Sequence, residues 1–208
     1  MTLIRDLKTA ALARNLLPEG APLDAPAAFA LVRDMPYQRA SSREPGVTIE
    51  EWRGTCSGKH ILLQALFDEL GMQTTMILAP HEFTEANSPW LPPALLTMVR
   101  EAPVRDVHNF LRVQPVGQLG PQAEWVTVDA TWPLPAHELG MPANETFDLG
   151  HDMGIAADPD EIFHLPPDAD PNELKTRILS DFSADELARR ETFLAGLIDW
   201  LAESLPGG

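Results

Sequence analysis

Cysteine is nearly missing from this chain: of 208 residues, Cys56 alone carries a thiol. No intramolecular disulfide can form, so apolar burial must hold the fold, and a cytoplasmic location is the expectation. Cations are scarce as well. Fifteen Lys and Arg stand against 31 Asp and Glu, a formal net charge of −16. A surface of that sign repels phosphate backbones and anionic headgroups, and no run of basic residues offsets it, which argues against nucleic-acid and membrane partners. No apolar run approaches the length of a membrane span, and Arg5, Asp6 and Lys8 interrupt the apolar residues of the first turns, unlike the core of a secretory signal. Internal repeats and low-complexity tracts are absent, so a solenoid has no support. Metal-ligand spacing such as His-Glu-x-x-His is missing too. Asp168-x-Asp170-x-Asn172 opens like a calcium loop but has neither the glycine at its sixth position nor the glutamate at its twelfth. No metal and no cofactor are expected, and without a basic cradle for phosphates, acyl transfer from coenzyme A is disfavoured.

What is present is ample apolar side chain. With 44% hydrophobic and 22% charged residues, the chain reads as one globular domain over residues 1–208. The 20 prolines fall mostly in two stretches, Pro80 to Pro103, read as a proline-rich insertion, and Pro133 to Pro171, read as irregular and acidic. The opening 17 residues are helix-prone until Pro18-Glu-Gly-Ala-Pro stops them, and a second helix is predicted from Ala25 to Arg33 with Asp24 as its cap. After a loop through Ser41 to Gly46, the spacing of Leu63, Leu66, Phe67 and Leu70 predicts a helix over Cys56 to Leu70, with Gly71 as its terminator. Strands are predicted at Thr74 to Ala79, ended by Pro80, at Val107 to Val113 and at Trp125 to Ala130, the last two joined by a long hairpin connection. A short helix is predicted from Ala94 to Arg100. A longer amphipathic one over Ser183 to Leu205 opens with a Ser183-Ala-Asp-Glu capping box.

Cys56 sits at a predicted helix start, where unpaired N–H groups and the macrodipole favour a thiolate, and Ser57 and Gly58 are small enough to leave the sulfur accessible. Taken alone, a single cysteine is more often structural filler. The arrangement of His108 and Asp129 changes that balance. If their two strands pair antiparallel with His108 opposite Asp129, then Phe110 faces Thr127 and Arg112 faces Trp125, all on one side of the sheet. A carboxylate so placed reaches the imidazole. His60, four residues after Cys56, is expected to pack within its helix and not to reach a strand carboxylate. His81, His137, His151 and His164 are expected in loops. Trp90 and Trp132 are candidates to line a cleft or, more commonly, to fill core.

Arg53-Gly-Thr-Cys-Ser-Gly-Lys-His, then Leu70-Gly71, then His108-Asn-Phe-Leu-Arg-Val, then Trp125-Val-Thr-Val-Asp-Ala-Thr-Trp together resemble the transglutaminase-like cysteine superfamily, over roughly Trp52 to Trp132. The resemblance implies an α+β, papain-like fold in which a Cys-bearing helix packs on an antiparallel sheet with flanking helices. It also implies a triad of Cys56 as nucleophile, His108 as general base and then acid, and Asp129 as the group that fixes the imidazole tautomer. Two features depart from the pattern, the displaced aromatic after the histidine and the proline-rich insertion from Pro80 to Pro103. Asn109 stands where an aromatic usually follows the histidine. Ser57 follows the cysteine where arylamine N-acetyltransferases, which share the Arg-Gly-x-Cys turn, carry an acid further on. The implied activity is acyl transfer to, or hydrolysis of, an amide-type substrate, a peptide or an amide-bearing small molecule, through a thioester. The Cys56 backbone N–H and a side-chain donor, for which Gln38 is the candidate, would hold the oxyanion. The alternative is a non-catalytic binding or scaffolding domain that keeps the same fold.

Overall fold

The computed structural model describes residues 2–114, 125–159, 161–166 and 169–205. The expected hairpin connection lies almost wholly outside them. Among the described residues, seven α-helices and four strands run in the order α1 (Leu3–Ala13), α2 (Ala25–Arg33), α3 (Pro45–Glu51), α4 (Cys56–Glu69), β1 (Gln73–Phe83), α5 (Pro93–Glu101), β2 (Val104–Gln114), β3 (Val126–Val128), β4 (Phe163–His164), α6 (Pro171–Leu179) and α7 (Ala184–Ser204). The strands form one antiparallel sheet in the order β3-β2-β1-β4. Mixed helix and sheet of this kind is an α+β architecture.

Local chemistry explains the boundaries. Asp24 accepts from the Ala27 N–H at 3.0 Å to start α2, and Ser183 and Glu186 form the expected reciprocal capping box of α7. Gly71, at φ 79°, terminates α4 in the left-handed conformation that only glycine adopts freely. β2 is the central strand, covered on both faces and buried at almost every position. Met76, Leu78, Leu111, Val113 and Val128 alternate into the main core with Leu62, Leu63, Leu66 and Phe67 of α4. Ile77, Ala79 and Phe110 point the other way, against Ile155. A second core gathers Phe83, Val104 and Trp132 with Leu95 and Val99 of α5 and Phe193, Leu194 and Leu197 of α7.

Several expectations need correction. β1 passes through Pro80 and ends at Phe83. Beyond Leu78 its outer edge meets only an isolated bridge from His81 to Pro159 among the described residues, so a residue without an N–H costs the ladder little there. α3 and α6 were not anticipated; seven and nine residues are too short to establish a helical period over background. Their starts are nonetheless legible afterwards, since both open on proline at the first helical position. Asp170 caps α6 by accepting from the Asn172 N–H at 2.8 Å, which is the local role of part of the calcium-like segment. His81 and His164 lie on β1 and β4, not in loops, and His137 lies in a 3-10 turn, Leu134–Leu139. No helix among the described residues is long and apolar enough to cross a membrane.

Candidate active site

The predicted pairing of the two strands is displaced by two residues. Arg112 faces Thr127, not Trp125, with Leu111 against Val128 and Val113 against Val126, and β3 ends before Asp129. An even displacement preserves the faces, so His108 and Asp129 still share one side and meet diagonally instead of squarely. Arg112 holds this register: its guanidinium donates to Thr127 Oγ1 at 2.9 Å and to the Trp125 carbonyl, beside Asp152, which accepts the Thr127 N–H at 2.6 Å.

The Asp129 carboxylate is caged. Its Oδ2 lies 2.8 Å from His108 Nε2 and accepts the Ala156 N–H at 2.8 Å, while Oδ1 accepts the Thr131 N–H at 2.9 Å. Burial alone would raise its pKa. The charge and hydrogen bond of His108, with His60 and the Thr131 donor, outweigh that and hold it well below the usual carboxylate range. With Nε2 committed to Asp129, Nδ1 is the ring nitrogen left to face the sulfur, and each of the two side chains shifts the pKa of the other. Burial pushes the His108 imidazole down, but the Asp129 carboxylate and then the Cys56 sulfur overcome it and raise the pKa to about 10. Burial likewise works against the Cys56 thiolate, and the charge of Lys175 followed by the bond and charge of His108 bring its pKa down to about 6. Between those values the site holds a thiolate–imidazolium pair.

Cys56 is 5% exposed and lines a cavity of about 510 Å³. One wall is the loop from Arg39 to Glu44, the floor is the start of α4, and α6 and α7 close the far side. No side-chain cap occupies the N-terminus of α4, because Thr55 makes no capping bond. Its first-turn N–H groups therefore lack that acceptor, and the residues that carry them, Cys56 to Gly58, line the cavity. Arg39, Arg43, Lys175 and Arg190 all reach this cavity, a gathering of cations that no run in the sequence announced. Gln38 does not line it; that residue borders a separate cavity of about 710 Å³. Its neighbour Tyr37 borders both, buried with its ring 4.7 Å from that of Trp132. Burial first, then the negative charges of Cys56 and Asp106, keep the Tyr37 phenol protonated. Trp132 is core, 3% exposed, and Trp90 meets it edge-on with ring centroids 5.7 Å apart.

Three buried groups were missed or misjudged in the sequence. His60 does reach the strand: its Nε2 accepts the Ala130 N–H at 2.9 Å and stands 3.6 Å from Asp129 Oδ1, while Nδ1 donates to the Cys56 carbonyl at 2.8 Å. Lys59, fully buried, donates from Nζ to the carbonyls of Arg33 at 2.7 Å and Thr131 at 3.0 Å, tying α2 and α4 to the loop beyond Asp129. Lys175 donates to Ser57 Oγ, Asn109 Oδ1 and the Val107 carbonyl. The only sequence signal for the first two was their position one turn into the Cys56 helix. Lys175 gave none. No protein-family model matches this chain, and no curated protein matches it.

Proposed function

We propose that this protein is a cysteine-nucleophile enzyme of the transglutaminase-like, papain-like type, which hydrolyses or transfers the acyl group of an amide substrate. The observation that carries this reading is the buried 2.8 Å contact between His108 Nε2 and Asp129 Oδ2, with Cys56 at the start of a helix that no side chain of Thr55 caps, its thiol pushed down, against burial, by the charge of Lys175 and then by the His108 ring. A purely structural cysteine needs none of these partners.

In the reaction the Cys56 thiolate attacks the amide carbonyl carbon, forming a C–S bond and a tetrahedral oxyanion. Backbone N–H groups at the start of α4 favour that negative charge, and Tyr37 is the side-chain donor bordering the cleft. When the intermediate collapses, the C–N bond breaks and the imidazolium of His108 gives its Nδ1 proton to the leaving amine. The thioester remains. Neutral His108 then removes a proton from water or from an acceptor amine as that nucleophile attacks. The C–S bond breaks, and the thiolate and imidazolium are restored. Asp129 keeps the ring in one tautomer throughout and stabilises its positive charge.

The test is alkylation of Cys56 by iodoacetamide near pH 6, with the His108→Ala variant beside it. Fast labelling that slows markedly in the variant is expected. Equal rates would remove the case for an activated thiolate and favour a binding domain with an inert cysteine.

A further inference from the structure

Asn109, where the chain departs from the pattern it resembles, and Ser57, next to the cysteine, are joined in space by a third residue far along the sequence. Lys175 of α6 is 4% exposed, and its ammonium donates to Ser57 Oγ at 2.9 Å, Asn109 Oδ1 at 3.0 Å and the Val107 carbonyl at 2.5 Å. Ser57 in turn gives its hydroxyl hydrogen to Asn109 Oδ1 at 2.8 Å, so its lone pair is free for the lysine. All three acceptors are neutral. Among the described residues no carboxylate forms an ion pair with Lys175.

A buried ammonium held by dipoles alone carries a heavy desolvation cost unless an anion stands near. Of the acidic groups that line the same cavity, Glu44 and Glu191 are exposed, and Cys56 and Asp106 are buried. Asp106 is bonded by Arg190 at 2.7 Å and 2.6 Å, and the charges of Lys175 and then Arg190 hold it ionised against the cost of burial, so the ammonium serves both anions. The sulfur lies 4.0 Å from Ser57 Oγ, the same hydroxyl oxygen that the ammonium bonds at 2.9 Å. We propose that Lys175 is a positioning residue that acts as a fixed countercharge for the Cys56 thiolate, seated by Ser57 and Asn109. This rests on the nucleophilic role of Cys56. The ordinary thiolate–imidazole pair shares one mobile proton, whereas this ammonium supplies positive charge that remains when His108 has given its proton to a leaving group. It therefore favours thiolate departure in the second half of the cycle as well as thiolate formation in the first. Among the described residues, the other charged or titratable groups around the sulfur are Lys59 and His60 on α4, His108 and Asp106 on β2, Asp129 after β3, His81 on β1, Tyr37 after α2, and Arg190 on α7, with Arg39, Arg43, Glu44 and Glu191 also lining the cavity.

The experiment follows iodoacetamide alkylation of the single cysteine against pH in the full chain and in three variants. Lys175→Gln keeps a donor and removes the charge, Lys175→Arg keeps the charge, and Asn109→Asp leaves the lysine in place while cancelling its field with a carboxylate. The wild-type midpoint is expected near 6. In Lys175→Gln and Asn109→Asp it should rise toward an ordinary thiol's value of about 8.5, with a fall of tenfold or more in labelling rate near pH 6. Lys175→Arg should titrate with the wild type. If Lys175→Gln does not fold, Asn109→Asp alone decides. Charge-cancelled variants that titrate like a reactive wild type overturn the role of Lys175 and leave the nucleophile reading standing. An ordinary, sluggish thiol in the wild type itself brings down both.

Discussion

His60 ties the first turn of its own helix to the residue that follows Asp129: Nδ1 donates to the Cys56 carbonyl at 2.8 Å, and Nε2 accepts the Ala130 N–H at 2.9 Å. One neutral imidazole thus fixes the distance between the nucleophile's turn and the end of the strand that presents Asp129. Because Nε2 accepts, the proton is on Nδ1, and a charged ring cannot make this bridge. Replacing His60 with Ala should lower turnover by roughly ten- to a hundredfold, as a misplaced orienting carboxylate does, and leave a buried N–H unpaired at a cost of about 1–3 kcal/mol. Parallel measurements of kcat and of urea unfolding check this; full activity with full stability would show that the bridge is dispensable.

Activity should follow a bell in pH. Below about 6 the Cys56 thiolate takes up a proton and attack is lost; above about 10 the His108 imidazolium loses its proton and the leaving amine has no acid. The two limbs belong to the coupled pair. A pH–rate profile of kcat/KM with any turned-over amide tests it, and an acid limb near 8 to 9 would mean that the free thiol is not depressed.

Tyr37 and Gln38 are adjacent in sequence yet border different cavities, and only Tyr37 borders the one with Cys56. Tyr37→Phe should lower acylation by about a hundredfold to a thousandfold, the range for one lost oxyanion donor. Gln38→Ala should stay close to wild type. Pre-steady-state acylation rates separate the two, and the reverse ranking would return the donor role to Gln38.

Stability should fall with acid well before the carboxylates titrate. Burial is the first cause that pushes His60 and His81 down from 6.5 to about 4, so each is neutral in the fold and more readily protonated in the unfolded chain. A base with a depressed folded pKa contributes fully above 6.5 and loses that contribution as pH drops toward 4, roughly 3 kcal/mol each over the whole span. His108, raised to about 10, acts at the other end: its contribution is complete below 6.5 and is lost as pH rises through 10, so it does not offset the acid limb. Urea midpoints from pH 4 to 7 should fall steeply on the acid side, less so for His81→Gln. Superimposable curves would refute the titration of His81.

Which residues are where was settled by two kinds of information. Periodicity, caps and alternation are short-range physics, and they sufficed for the Cys56 helix, the Asp24 and Ser183 caps, the Gly71 terminus and the shared face of His108 and Asp129, because a strand's period of two survives a slip of two. They did not suffice for register, which Arg112 fixes through Thr127 and the Trp125 carbonyl, since a guanidinium selects among partners only once two segments are already adjacent. Nor did they reveal His60 as a bridge, Tyr37 in place of Gln38 at the cleft, or Lys175 under Cys56 from 119 positions away. An isolated lysine in a nine-residue helix looks like a solvated charge in sequence, because what buries it, and what its charge acts on, exists only after the chain has packed.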